Sequence, residues 1–548
     1  MNEREADVFD YVVVGAGTAG CVLASRLSED PAVRVALIEA GPLDTHPFIH
    51  IPATVGAAIA QPHLNWRFMT APQAHLNGRP IPIPRGHVVG GSGSINGMVY
   101  FRGHPTDFDE WAVGNPGWSY REVMPYFLRS ENNEAYRGSP YHGQGGPMNV
   151  IFVKRPNPMT PAFLAAMESL GYRRNDDFNG PNSEGYGPRQ GTIAKGRRVS
   201  TATAYLKPAS GRPNLTLLTD TTTARICIEN RRATGVDLLT PGGSRRLTAR
   251  KEVIVCGGAV QSPQLLMLSG IGDEAALRAF GVEVKHHLPG VGANYHDHLA
   301  VGVLLEMSNS DSYGISWKAA PRDLANIIEY ALFRTGPLSS NVFEATGFVR
   351  TLPELTRPDI QVVFQAARRN TNTFPFPLGH GFAINVLNLY PKSRGTVRLA
   401  SPDPRAAPVA DPQLLSHPDD VATMLRALKI GRRVSQAPSF SRYRAVEMQP
   451  GPGVQDDAAL VEYIRRAAST VHHPCGSCRM GPDANAVVDA QLRVHGIEAL
   501  RVADASVFPS VVGGNTNAAV VMIAEKAADM IRGIAAPQPI DLPLARSA

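Results

Sequence analysis

Phe9-Asp10-Tyr11-Val12-Val13-Val14-Gly15-Ala16-Gly17-Thr18-Ala19-Gly20 is the stretch on which the fold turns. Its first six residues are an apolar, β-branched run of the kind that is buried on both faces of a parallel sheet. The glycine turn follows at once, and apolar residues then recur at helical spacing from Cys21 to Leu27. A second apolar run, Arg34-Val35-Ala36-Leu37-Ile38, ends in Glu39. A bare G-x-G-x-x-G is a weak signal, but strand, turn, helix and second strand in this order are the context of a dinucleotide site. There Gly15 permits the turn, Gly17 admits the pyrophosphate to the backbone, and Gly20 lets helix and strand pack closely. Thr18 and Ala19 open the helix whose positive end faces the phosphates. Glu39, 19 residues beyond Gly20 and followed by Ala40, is placed to accept the adenosine ribose hydroxyls and disfavours a 2′-phosphate. The motif alone leaves NAD and FAD open.

The 548 residues leave room for two to four structural units. Their 51 glycines and 45 prolines exceed the usual shares of roughly 7% and 5% without low-complexity runs, so the excess reads as turns. A net charge of +6 superficially invites nucleic acid. The basic residues are scattered, however, in groups no longer than pairs such as Arg197-Arg198, Arg231-Arg232 and Arg245-Arg246. With no basic stripe interleaved with aromatics, they read as surface charge and nucleic acid is set aside as a partner. The five cysteines, at 21, 227, 256, 475 and 478, are too few and too unevenly placed for a disulfide scaffold. The start of the chain is polar and partly acidic, unlike a signal peptide, and no apolar stretch approaches the ~18 residues of a membrane span. The expectation is a cytoplasmic protein without integral membrane segment, with peripheral association at the inner face of the membrane left open.

Two further glycine segments narrow the cofactor. Arg85-Gly86-His87-Val88-Val89-Gly90-Gly91-Ser92-Gly93-Ser94-Ile95-Asn96-Gly97 is so rich in glycine that something must require close backbone approach. Cys256-Gly257-Gly258-Ala259-Val260-Gln261-Ser262-Pro263-Gln264 follows the apolar strand 252–255 and reads as another strand, turn and helix. Together with the amino-terminal turn and a His473-Pro474-Cys475-Gly476 stretch, these blocks resemble the glucose-methanol-choline (GMC) family of FAD-dependent alcohol oxidoreductases, across nearly the whole chain. Asn65-Trp66, Gly97–Pro105 and Pro391-Lys392-Ser393-Arg394-Gly395 are most similar to choline dehydrogenase, long-chain alcohol dehydrogenase and L-sorbose dehydrogenase members.

The resemblance implies an α/β (α+β overall) architecture: a Rossmann-like FAD-binding domain assembled from 1–155, 213–300 and 468–548, and a substrate-binding domain on an antiparallel sheet from 156–212 and 301–467. Alternating stretches such as Ile360-Gln361-Val362-Val363-Phe364 and Thr396-Val397-Arg398-Leu399 fit that sheet. FAD would lie extended from the Gly15–Gly20 turn to a flavin beside Arg85, Val89, Gly90, Gly91, Ser92, Asn96, Gly97, Met98 and Val99. Thr223, Asp504, Ala505, Asn515, Asn517 and Ala518 would complete its site, with Asp504 at the ribityl chain. Some relatives tether the flavin through a histidine; Ile95 stands at the aligned position here, so the FAD is expected to be non-covalent.

Val471-His472-His473-Pro474-Cys475-Gly476-Ser477-Cys478 is the densest reactive cluster. Its spacing poorly matches zinc ligands, and a redox Cys-x-x-Cys lacks its context. Oxidising an alcohol requires a base for the hydroxyl proton, and histidine titrates near neutral pH. The resemblance carries that role to His473, directly before the proline, and gives Asn517, 44 residues on, the task of binding the substrate hydroxyl. The helix opened by Gly513-Gly514-Asn515-Thr516-Asn517 is expected over 520–531, with Asn or Thr available as caps. His296-Asp297-His298 suggests a metal but resembles a turn of the family near the cofactor, and no metal is assigned. On the substrate side Phe343, Glu344 and Phe364 are weak candidates, Glu344 as a partner for a cationic head group. The expected reaction is oxidation of a primary alcohol by hydride transfer to flavin N5, with a quinone, dye or other acceptor taking the electrons. An O₂-using oxidase and a non-redox hydroxynitrile lyase are the alternatives.

Overall fold

A computed structural model describes residues 7–368 and 378–544. The expected domain segments extend at 1–6, 369–377 and 545–548 beyond the described residues. The quoted stretch forms β1 (Val8–Val14) and α1 (Thr18–Leu27), and β2 (Val35–Ile38) follows. β1 and β2 are buried along almost their whole length, as apolar runs covered on both faces should be. After an excursion the chain returns as β3 (Leu215–Leu218), β4 (Thr222–Glu229), β5 (Arg232–Thr240) and β6 (Gly243–Val255), and α2 (Gly258–Leu268) leaves the end of β6. The sheet order is β3-β2-β1-β6-β5-β4. Strands β3, β2, β1 and β6 run parallel, and β6, β5 and β4 form an antiparallel meander at one edge.

A second sheet is antiparallel throughout. It is built from β7 (Leu299–Met307), β8 (Ala345–Val349), β9 (Ile360–Gln365) and β10 (His380–Asn388), backed by α3 (Pro418–Ser435) and edged by β11 (Val446–Gln449). The order is β11-β7-β10-β9-β8, with the short strand Gly185–Pro188 beyond β8 and Ser469–Thr470 pairing with β7. Side chains alternate across it. Val301, Val303, Val362, Phe364, Phe382, Ile384 and Val386 form a core with Met424 and Leu428 of α3. Ala300, Gln361, Val363, Asn385 and Leu387 face the other way, into a cavity. The expected strand Thr396–Leu399 is not part of this sheet: Thr396–Arg398 pairs with Val409–Asp411 as a separate ribbon, with Val397 packed beside Ala259 and Tyr295.

The chain then comes back to the first sheet. β12 (Leu500–Val502) pairs in parallel with the end of β6, and α4 (Asn517–Arg532) packs on α1. Buried Glu525 of α4 accepts hydrogen bonds from Arg26 of α1 and Tyr205, and pairs with Arg129 at 3.0 Å. α4 begins at Asn517, three residues before the expected start, and no side chain caps it. The tail beyond it is strapped to the surface: Ile540 N–H donates to Arg121 O at 2.9 Å, Tyr141 hydroxyl donates to Pro543 O, and Ile540 and Leu542 pack on the core. Among the described residues, no helix is long and apolar enough to cross a membrane.

Candidate active site

Val14, Ile38, Val255 and Val502 lie level with one another, so β1, β2, β6 and β12 end on one edge. That edge is the floor of a cavity of about 1200 Å³, larger than the roughly 300–1,000 Å³ of a pocket for a drug-sized ligand. Gly15, with φ +98°, turns the chain away from β1, and a Cβ on Gly20 would lie 1.9 Å from Gly15 O. Gly15, Gly17, Thr18 and Ala19 line the cavity; Gly20 serves the helix–strand packing behind it. Glu39 and Ala40, at the end of β2, line the same wall. The Glu39 carboxylate accepts from Ala16 N at 2.9 Å and Gly41 N at 2.9 Å, and burial raises its pKa to about 7. Thr223 of β4 borders the cavity with a buried hydroxyl that finds no partner among the described residues. Asp504, just past β12, accepts from Gly258 N at 2.8 Å, Ser262 Oγ at 2.5 Å and Ser506 N at 2.7 Å, tying two strand ends together, with Ala505 beside it.

The loop after Arg85 lies against this floor. Gly90 N donates to Ala16 O at 2.7 Å, and a Cβ on Gly91 would meet Gly17 Cα at 2.7 Å. Gly91, Ser92, Ile95, Asn96, Gly97, Met98 and Val99 reach the cavity, whereas Val89 and Gly90 pack behind it, as does Ala518 in α4. Arg198, read from the sequence as surface charge, is instead buried and braces this loop: its guanidinium donates to Asn96 O and Oδ1, both at 2.7 Å, and to Ile49 O at 2.7 Å.

His473 sits where the second sheet meets the floor. Its backbone N donates to Asp297 Oδ1 at 2.8 Å, and Arg85 donates to the carbonyl of His472 at 2.6 Å. His298 Nε2 lies 2.9 Å from Leu389 O, which can only accept, so that nitrogen carries the hydrogen. His298 Nδ1 therefore accepts, and His473 Nδ1–H donates to it at 3.0 Å. This leaves the lone pair of His473 on Nε2, where the Asn515 amide donates at 2.9 Å. Burial first, then His298, His472, Arg85 and Arg189, hold the His473 pKa well below 6.5. Asp297, pushed up to about 7 by burial against the pull of Arg85, completes the group.

Three expectations change here. Asn515, not Asn517, faces His473; Asn517 lies in the first turn of α4 and donates to Thr18 Oγ1 at 2.9 Å, joining two helix starts. Glu344 does not enter the cavity: its carboxylate is consumed by Asn157 N, Thr160, Tyr313 and Ser340, all within 2.7 Å. Phe364 is 1% exposed and stacks on Phe163 in the core, because alternation along β9 turns Val363 inward instead. Phe343 lines the cavity as expected. The remaining histidine of the 296–298 turn, His296, bonds Asn294 O at 2.6 Å and accepts from Val511 N at 3.0 Å.

Residues 9–300 match the model of the GMC oxidoreductase amino-terminal region, and residues 391–524 match its carboxy-terminal region. The chain belongs to the GMC oxidoreductase family. It is 42% identical over 527 residues to an alcohol dehydrogenase [acceptor] of Pseudomonas putida, covering 96% of each chain. It is 41% identical over 540 residues to oxygen-dependent choline dehydrogenase 1 of Chromohalobacter salexigens, again covering 96% of each. Among solved structures it superposes on pyridoxine 4-oxidase from Mesorbium loti with TM-score 0.86 and 34% identity, over 96% of this chain and 99% of that one. This GMC protein is thus an FAD-dependent oxidoreductase. The site fits FAD: the helix starts at Thr18 and Asn517 meet over backbone turns, and the unpartnered Thr223 hydroxyl and long cavity suit an extended dinucleotide.

Proposed function

We propose that the protein oxidises a primary alcohol to its carbonyl compound, with His473 as the general base and a quinone or other non-O₂ molecule as final acceptor. The carbinol loses a proton from oxygen and a hydride from carbon, two electrons in all. FAD, held without a covalent tether because Ile95 offers no nucleophile at the cavity wall, supplies the hydride acceptor. The reading rests above all on the lone pair of His473 Nε2 at the cavity, fixed by the Leu389–His298–His473 chain. On binding, the substrate hydroxyl takes the place of the Asn515 amide on that lone pair and donates its proton to it, and the released Asn515 Nδ2–H donates to the same oxygen. Because the imidazole is held neutral, the base is ready at neutral pH and is not already protonated. Val363, Leu387 and Phe343 form an apolar wall that keeps water from the reacting carbon.

The division into a cofactor unit (1–155, 213–300, 468–548) and a substrate unit (156–212, 301–467) belongs to the same reading. Two large hydrophobic cores support it, with Leu76, Ile81, Leu299 and Ala468 packing into the second and Ala202, Tyr205, Leu206 and Leu399 into the first as exceptions. Replacing His473 with Ala should leave the flavin spectrum in place and slow anaerobic flavin reduction by about 10²–10⁴; an unchanged rate would overturn the assignment. The acceptor is read separately, by peroxide formed in air against reduction of a quinone or dye. Peroxide at the full turnover rate would favour an oxidase, as in the structure named pyridoxine 4-oxidase.

A further inference from the structure

Four arginines, three buried and Arg85 half-buried, surround this cavity or its supports, and three have partners. Arg102 pairs with Glu131, Arg85 holds the His472 carbonyl near Asp297, and Arg198 holds the carbonyls of the flavin-side loop. Arg189 differs. It borders the cavity and is 4% exposed, yet no carboxylate among the described residues pairs with it. Its Nε and Nη1 find no hydrogen-bond partner among the described residues, and Nη2 makes only a 3.5 Å contact with Asn515 Oδ1. The rings of Phe101 and Phe343 lie over it at 5.5 and 5.9 Å. Two aromatic faces soften an isolated charge without neutralising it. Burial alone accounts for the lowering of its pKa to about 9.

A buried cation without a counter-ion is costly, and it is kept where an anion completes it. The reacting alcohol oxygen is already served by His473 Nε2 and the Asn515 amide. The guanidinium lies on the far side of that amide, so the anion it would receive is a neighbouring group of the same substrate. A planar fork of N–H donors matches a carboxylate. We propose that the substrate is a hydroxy acid, an alcohol with a carboxylate close to the carbinol carbon, and that Arg189 binds that carboxylate. This rests on the alcohol oxidation proposed above and names its substrate class. A cationic alcohol such as choline would meet a buried like charge here, and Glu344, the one acidic side chain expected to greet it, is engaged elsewhere.

The test uses the FAD-loaded enzyme and two readouts. In the first, benzoate and benzamide, neither of which can be oxidised, are titrated anaerobically and followed by the change in flavin absorbance. Benzoate should bind at least about tenfold more tightly, as expected for hydrogen bonds to a charged group. Arg189→Met should erase the preference and Arg189→Lys should retain part of it. In the second, anaerobic flavin reduction by glycolate is compared with that by ethylene glycol, and the ratio of kcat/KM values should fall at least about tenfold in Arg189→Met. Equal binding of the two probes to the wild-type enzyme overturns the proposal without recourse to any variant. Loss of rate by the same factor for both alcohols also overturns it, since the cation would then serve the reacting oxygen. If no alcohol reduces the flavin, the oxidation reading fails, while the benzoate titration still decides the role of Arg189.

Discussion

On the floor of the cavity the lining groups are main-chain turns and short side chains at strand ends, at Gly15, Glu39, Gly257 and Asp504. On the roof they are every second side chain of long strands, among them Gln361, Val363, Asn385 and Leu387. The floor works by close approach of backbone to backbone, and at Gly15, Gly20 and Gly91 it has no room for an added carbon. The roof works through the identity of what projects from it, so an inward substitution changes the ligand before it changes the fold. In the function proposed above, one surface holds the cofactor and the other selects what that cofactor oxidises.

The most severe break should come from Gly20→Val. Its Cβ would fall 1.9 Å from Gly15 O, so the purified protein should carry no flavin, read as the ratio of visible to ultraviolet absorbance. A fully yellow variant would show that the floor is more pliant than its contacts indicate. Next come the two neighbours on β9. Phe364→Ala, in the core, should cost about 3–5 kcal/mol and lower Tm markedly, whereas Val363→Ala should shift KM for the alcohol far more than Tm. The reverse pattern would place the roof's register one residue out.

The two asparagines of α4's approach separate floor from chemistry. Asn515→Ala should slow anaerobic flavin reduction by about 10²–10³, the loss typical of one donor to a developing oxyanion. Asn517→Ala should act first on flavin retention, because its partner is Thr18. The smallest effect is in pH. His473 is held well below 6.5 by burial and by His298, His472, Arg85 and Arg189, with Asp297 the one acidic group facing it. A depressed histidine pKa keeps the base neutral, so the acid limb of kcat/KM should lie below pH 6.5 and move upward when Arg189→Met removes one of those cations. A limb at or above 6.5 in the wild-type enzyme would show that the imidazole is better solvated than its burial implies.

Much of the floor was legible because its chemistry is local. Gly15 to Gly20, the glycines after Arg85 and His473 before its proline each carry their context within a dozen residues. Asn515 and Asn517 could not be told apart in that way. They stand two residues apart, and the helix boundary between them decides which side chain still belongs to the loop. Phe364 was displaced by one residue in a strand whose two faces are both apolar, where alternation is visible but its phase is not. Arg189 left no motif, being a single basic residue between two short glycine-containing strands, and His298 stood out only as part of a metal-like triplet, because its partner His473 lies 175 residues away. The scattered positive charge likewise concealed that a few arginines lie inside. Burial is a property of the whole fold, and composition does not reveal it.

The pairing of β12 with β6, and of α4 with α1, has a consequence for how the protein is made. The first strand of the cofactor sheet emerges from the ribosome long before the last strand and helix that close it, which follow only at residues 500–532. Until then the ends of β1 and β6 lack Asp504, Asn515 and the second helix start. Yellow colour is therefore a sign of a finished chain. A fragment missing its last 50 residues has every glycine of the amino-terminal turn and no complete place to put the flavin, and it must wait with apolar strands unpaired, the condition in which large proteins aggregate.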